Sequence, residues 1–353
     1  MRTLLLVTAL VAVVPPLSTQ DHTPAAKAAP ALRDPKTKAH EALTMFVGDW
    51  DTTMQSKAMP GVPGMEKDQT ATGSEHAELI CNGLFLKAVI DGSAGGVPFQ
   101  GVFLIGYDPL AKSYTGHWVD SMDCAPAVMT GQYDATKKVW SWSGTTPQGR
   151  MRTELAMQAD GGSIETCWMV GADGKETQSM TVTRTRHKGA AAARDASAPQ
   201  DPQLSAAHKV LQDDVGDWTA VVTINIRGVP AMKSSATERV SSICGGHWIW
   251  TDFRHEMMGV ASEGHGLTGY DPATKEYVAF WFDAGNVSAT NGSFDATGKV
   301  CTMTGTSLDS TGKPMQMKKV LTRTDANTRV QLAEFAGGSK SGTMEIAYTR
   351  KAK

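Results

Sequence analysis

The chain has 353 residues, 41% of them hydrophobic, 20% charged and 7% aromatic, which excludes a disordered tail, a fibre and a polytopic membrane protein. Lys and Arg number 34 against 36 Asp and Glu, a net charge of -2, so no field exists to hold nucleic acid or an anionic membrane surface. The length predicts two domains.

Met1-Arg2-Thr3 precedes an unbroken apolar run from Leu4 to Val14, and Pro15-Pro16 ends it. A basic start, a short apolar core and a breaker predict an export signal, since a spanning helix needs about 20 apolar residues. No Cys stands near the end of the run to carry a lipid anchor. The expected mature protein is secreted or periplasmic, with no membrane contact after signal removal.

The rest of the chain repeats itself in order. His40 to Trp50 returns as His208 to Trp218, an offset of 168 residues, with Leu43, Val47, Gly48 and Asp49 kept as Leu211, Val215, Gly216 and Asp217. Gly106-Tyr-Asp-Pro109 with Lys112, Tyr114, Trp118 and Asp120 returns as Gly269-Tyr-Asp-Pro272 with Lys275, Tyr277, Trp281 and Asp283, an offset of 163. Gly131 to Val139 matches Gly292 to Val300, and Met180 to Arg186 matches Met344 to Arg350. A Pro- and Ala-rich stretch between the repeats has nothing from which to build a core. The predicted organisation is a signal over 1–20, a flexible stalk over 21–38, a first barrel over 39–187, a linker over 188–205 and a second barrel over 206–353.

Within each repeat, short helical spacing over 40–47 and 208–215 is followed by turn signals every eight to twelve residues. Between turns the residues alternate, as in Tyr114-Thr-Gly-His-Trp118-Val-Asp120, and β-branched and aromatic residues dominate. Eight to ten sequential strands per repeat predict an all-β chain of two tandem up-and-down antiparallel barrels, which hide their edges by closing. A β-sandwich needs longer crossovers than these turns provide.

Five cysteines, Cys81, Cys124, Cys167, Cys244 and Cys301, permit at most two internal disulfides, and the sequence does not assign their pairing. No Cys-x-x-Cys occurs, and no metal site is predicted. His255-Glu256-Met-Met-Gly259 starts like a zinc-protease motif but carries Gly where the second His must stand. No Gly-x-Ser-x-Gly elbow and no Walker loop occurs. Met54, Met59 and Met65 are spaced five and six apart, which keeps their sulfurs off one strand face and favours packing over copper binding. Asp108-Pro109 and Asp271-Pro272 suit the first two positions of a type I turn.

Tyr114, Trp118 and Asp120 differ by even numbers and share one strand face, as do Tyr277, Trp281 and Asp283. An acid beside an aromatic pair marks a candidate cavity, and a strand end reaching solvent is the plainer alternative. His117 and His247 have no counterpart in the other repeat, where Phe280 and Leu84 stand. Either could serve as axial ligand in a haem-binding barrel, although a strand histidine is more simply a satisfied polar group, and no cofactor is predicted.

Gly48-Asp49-Trp50 and Gly216-Asp217-Trp218 have the Gly-x-Trp form of the first lipocalin strand, and each repeat ends in an arginine-bearing strand, Arg184-Thr-Arg186 and Tyr348-Thr-Arg350. With Trp118-Val-Asp120-Ser-Met122 and the closing Met-x-x-x-x-Thr-Arg, the pattern resembles the domain-of-unknown-function family numbered 1579 in tandem duplication, taken to be calycin-like. That resemblance implies that Arg186 stacks on Trp50 and Arg350 on Trp218 to close each barrel floor. Repeat two departs from the motif after Asp283, where Ala284-Gly285 replaces Ser-Met. The expected function is non-enzymatic binding of a small apolar molecule in a barrel cavity, with Tyr114, His117, Trp118, Asp120, Tyr277, Trp281 and Asp283 as candidate contacts. Two alternatives stand beside it: an enzyme for a small hydrophobic substrate with Asp120 or His117 as acid–base group, and an interaction module with solid barrels. The sequence does not set the oligomeric state.

Overall fold

The structure is a computed structural model that describes residues 36–58, 66–94, 97–122, 125–146, 149–189, 204–257, 259–283, 286–308, 313–337 and 341–352. The predicted signal, most of the stalk and linker, Met59, Met65, Cys124, Ala284 and Gly285 lie outside them. Among the described residues no helix is long and apolar enough to cross a membrane.

The first repeat opens with helix α1 (Lys38–Glu41), which tightens into a 3-10 turn over Ala42–Phe46. Ten strands follow: β1 (Gly48–Ser56), β2 (Gln69–Ile80), β3 (Phe85–Ala94), β4 (Val97–Asp108), β5 (Ser113–Asp120), β6 (Ala127–Asp134), β7 (Val139–Thr146), β8 (Gly149–Met157), β9 (Ser163–Val170) and β10 (Glu176–Arg186). Each pairs antiparallel with its sequence neighbour, and β10 returns to β1 to close the barrel. The second repeat repeats the plan with α2 (Ala206–Gln212) and β11 (Gly216–Ile226), β12 (Met232–Ile243), β13 (Trp248–Met257), β14 (Val260–Asp271), β15 (Glu276–Asp283), β16 (Asn286–Phe294), β17 (Val300–Leu308), β18 (Pro314–Arg323), β19 (Thr328–Gly337) and β20 (Gly342–Arg350). Here β20 closes on β11.

The floors of the two barrels are built alike. Trp50 donates its indole N–H to the Phe46 carbonyl at 2.8 Å, and Trp218 donates to that of Asp214 at 3.0 Å, tying each opening helical segment to the first strand. The Arg186 guanidinium lies 3.6 Å from the Trp50 ring centre and donates to the carbonyls of Met45 and Val47. Arg350 lies 4.1 Å from the Trp218 ring and donates to those of Asp213 and Val215. Backbone oxygens left free at the end of a short helix thus gain charged donors, and each indole gains a cation over its face. Gly48 and Gly216 fit beneath these arginines: a Cβ there would stand 2.9 Å and 2.5 Å from the guanidinium, and φ is +120° and +140°.

The two floors differ in their buried charges. In the first, Arg184 bridges Glu75 at 2.7 Å and Glu165 at 2.9 Å. In the second, Tyr348 takes the place of Arg184, and Arg329 pairs with Asp214 and Glu238. Burying carboxylates this deeply requires such partners.

Outer faces of β3 to β5 and β13 to β15 meet in one seam. Phe85, Val102, Leu104 and Val119 pack there with Trp248, Trp250, Leu267, Phe280 and Phe282. The Cys244 amide donates to the Gln100 side-chain oxygen at 2.7 Å, and Lys87 places its ammonium 4.4 Å from the Trp250 ring centre. Strands of the seam are therefore buried on both faces, which accounts for the unbroken apolar run Val102-Phe-Leu-Ile105.

Gly264, Gly266 and Gly269 have the spacing of a dinucleotide-binding loop. They stand inside β14 instead, where a Cβ at Gly264 would lie 2.4 Å from the Trp281 ring and one at Gly269 2.4 Å from Trp248. Gly264 and Gly269 make room for indoles, and no helix follows the three glycines to receive a phosphate.

Candidate functional site

Tyr114, Trp118 and Asp120 all point into the first lumen, and Tyr277, Trp281 and Asp283 into the second, as their common face requires. Each trio divides along its strand. The tyrosines sit at the capped end, where Tyr114 donates its hydroxyl to the Ala39 carbonyl at 2.7 Å and Tyr277 to that of Ala207 at 3.0 Å. Trp118 and Trp281 donate to Asp120 and Asp283 at 2.7 Å and 2.9 Å toward the other end.

His117 lies apart from this group. Its odd spacing turns it outward into the seam, 4.8 Å from the Phe280 ring and 5.3 Å from that of Phe282. Burial there pulls its pKa down to about 4, so the imidazole is neutral. Asp120 and His117 occupy opposite faces of β5 and do not form one acid–base site. His247 packs edge-on against His208 of α2, with ring centres 4.7 Å apart.

The two lumens are filled differently. In the first, Trp140 and Trp142 stack with centres 6.0 Å apart, and Tyr114, Tyr133, Phe46 and Phe103 pack around them. Register places Cys301 and Met303 at the corresponding positions of the second barrel, because Gly131 pairs with Trp142 and Gly292 with Met303. Two indoles are thereby lost from the second lumen, and polar groups appear on its wall. Ser288 and Thr290 stand where the first barrel has Ala127 and Met129, opposite Trp281 and Ala279 on the adjacent strand. Both are buried, and neither hydroxyl finds a hydrogen-bond partner among the described residues.

Lys319 joins them from β18, where its neighbours Met303 and Ala333 face inward. Burial draws its ammonium down to about 8, while the Asp283 carboxylate acts in the opposite direction. Burial raises the Asp283 carboxyl above its ordinary value, against the Trp281 N–H and Lys319. His255, from the incomplete zinc-protease motif, also faces this lumen beside Phe253, and its Nδ1 has no partner among the described residues. Ser288, Thr290 and Lys319 carried no motif. The signal for them was the loss of Trp140 and Trp142 in the second repeat.

The fold and its floor define a two-barrel protein of the up-and-down antiparallel type. The family described as "Protein of unknown function (DUF1579)" matches residues 35–186 and 203–350, and the chain belongs to it as a tandem duplication. Comparison with curated proteins finds no match. Among solved structures, an S-type phycobiliprotein lyase from Guillardia theta is similar at 6% identity and a TM-score of 0.33, over 41% of this chain and 92% of that one. A DUF3598 protein of unknown function from Nostoc punctiforme is similar at 10% identity and a TM-score of 0.23, over 88% and 98%. Likeness at this level carries no argument about what the chain does.

Proposed function

We propose that the chain is an exported binding protein that holds one small molecule, apolar along its body and acidic or hydrogen-bonding at one end, in the lumen of the second barrel. The first barrel, packed with aromatic rings, is its scaffold. One observation carries the reading: where the first lumen has Trp140 and Trp142, the second has Cys301 and Met303 together with the unpartnered hydroxyls of Ser288 and Thr290. A buried hydroxyl left without a partner costs about 1–3 kcal/mol, and a ligand atom or water relieves it. Trp281, Phe253, Met317 and Phe335 supply apolar wall, and Lys319 supplies the charge that selects an acidic head. Export rests on the leader expected over 1–20.

Fluorescence titration with dansyl-undecanoic acid tests this. The wild-type chain should bind about one equivalent, and Met303→Trp, which restores the filling of the first barrel, should abolish it. Lys319→Met should weaken binding about tenfold, roughly 1.4 kcal/mol. Binding that survives Met303→Trp unchanged, or no binding by the wild type, would sink the proposal.

A further inference from the structure

At one end of the seam, Cys81 from the turn after β2 meets Glu263 and His265 from β14. The Cys81 sulfur, a Glu263 carboxylate oxygen and a His265 ring nitrogen lie within 4.8 Å of one another, and this is the one such group among the described residues. The chemistry around His265 is that of a prepared ligand. Its Nδ1 is held by Asp252 at 2.9 Å, and Asp252 also accepts from the Trp250 indole at 2.8 Å. Trp250 stacks on the imidazole at 5.3 Å and 22°. This leaves Nε2, which is buried and has no partner, on a residue only 5% exposed. An imidazole fixed by a carboxylate at one nitrogen and bare at the other is the arrangement that metal-binding histidines adopt.

We propose that Cys81, Glu263 and His265 form a site for one zinc-type divalent ion that ties the two barrels together. Thiolate, imidazole and carboxylate are a borderline donor set that suits zinc, with water free to complete a tetrahedron. Bond lengths of about 2.0–2.3 Å put tetrahedral ligands ~3.5 Å apart, so the three groups close by about 1 Å through side-chain rotation. Glu263 is half-buried and gives the ion its entry. The Cys81 thiol now donates to the Phe282 carbonyl at 3.7 Å, and binding exchanges that weak contact for a metal–sulfur bond while one proton leaves to solvent.

The approximate twofold of the seam supplies a comparison within the same molecule. Cys244 is the counterpart of Cys81, and register makes Gln100 and Val102 the counterparts of Glu263 and His265. That end has Cys244 bonded through its amide to Gln100, and among the described residues no group of three donors gathers there. Among the described residues three donors gather at one end alone, which packing of a duplicated interface does not require.

Titration of the reduced full chain with Co2+ tests the site through the thiolate-to-cobalt charge-transfer band. One equivalent should produce the band, Zn2+ should displace it, Cys81→Ser should remove it and Cys244→Ser should keep it. Asp252→Asn and Glu263→Gln should each weaken binding at least tenfold. A wild-type chain without the band, or a band undiminished in Cys81→Ser, overturns the proposal. Should Cys81→Ser fail to fold, Glu263→Gln on the half-exposed rim decides, and an unchanged cobalt affinity there also overturns it.

Discussion

Cys81 of the first barrel aims its thiol at the main-chain oxygen of Phe282 in the second, 3.7 Å away. The reverse contact runs from Cys244 to Val119 at 4.0 Å, so the seam is isologous within a single chain, as between the subunits of a twofold dimer. Each barrel closes its own sheet, yet each hides an apolar outer face against the other. Expressed separately, 36–189 and 204–352 should keep their β-sheet circular dichroism and, when mixed, elute as a one-to-one complex. Two monodisperse halves that ignore each other would show that the seam contributes nothing to stability.

Acid should loosen this seam through His117. Its pKa falls from an ordinary 6.5 to about 4 because burial disfavours the cation. The unfolded chain therefore takes up a proton below pH 6.5 that the folded chain refuses down to pH 4, and stability is lost as pH falls across that window. The loss between pH 7 and pH 5 is about 2 kcal/mol. His117→Phe, copying Phe280, should flatten the dependence in denaturant melts at the two pH values. An equal slope in both proteins would show that the imidazole is hydrated.

Gly216 and Arg350 act as one device, since a methyl at 216 would occupy guanidinium space at a φ of +140°. Gly216→Ala should cost about 2–3 kcal/mol from strain and the displaced arginine, and Arg350→Ala about 1–2 kcal/mol from lost carbonyl bonds and stacking. The double variant should cost less than the sum, because the guanidinium that the added methyl displaces is already gone. Strict additivity in chemical denaturation would separate the two residues.

This pairing was legible in the sequence because duplication printed it twice: Gly-x-Trp near the start of each repeat and Arg near its end. The barrel count, strand order and common face of Tyr114, Trp118 and Asp120 followed from turn spacing and alternation, and the closed sheet then turned that face inward. His117 misled because alternation tells which residues share a face but not what covers the other face, and a second barrel covers this one. Residues 81 and 263 lie in different repeats and meet only through the seam, so no local spacing could join them. The second lumen was legible only as a difference between repeats, in what replaced Trp140 and Trp142.

Lys319 links that lumen to stability. Its ammonium has a folded pKa of about 8 against an ordinary 10.5, because the wall around it holds the charge away from water. Below pH 8 both the folded and the unfolded chain carry the proton, and the folded state bears the full desolvation cost. Between pH 8 and 10.5 the folded chain has released the proton while the unfolded chain keeps it, so the contribution of this residue becomes more favourable as pH rises. Lys319→Met removes the group and fits the apolar wall beside Met303 and Ala333. The variant should be more stable than the parent by about 2 kcal/mol at pH 7, with the advantage shrinking toward pH 10, while its affinity for an acidic probe falls. Urea melts at pH 7 and pH 10 measure the stability difference, and the dansyl-undecanoic acid titration measures the affinity on the same protein. A variant less stable than the parent at pH 7 would mean that Lys319 is solvated or paired, and its ammonium would then not be the bare charge assigned to an acidic head.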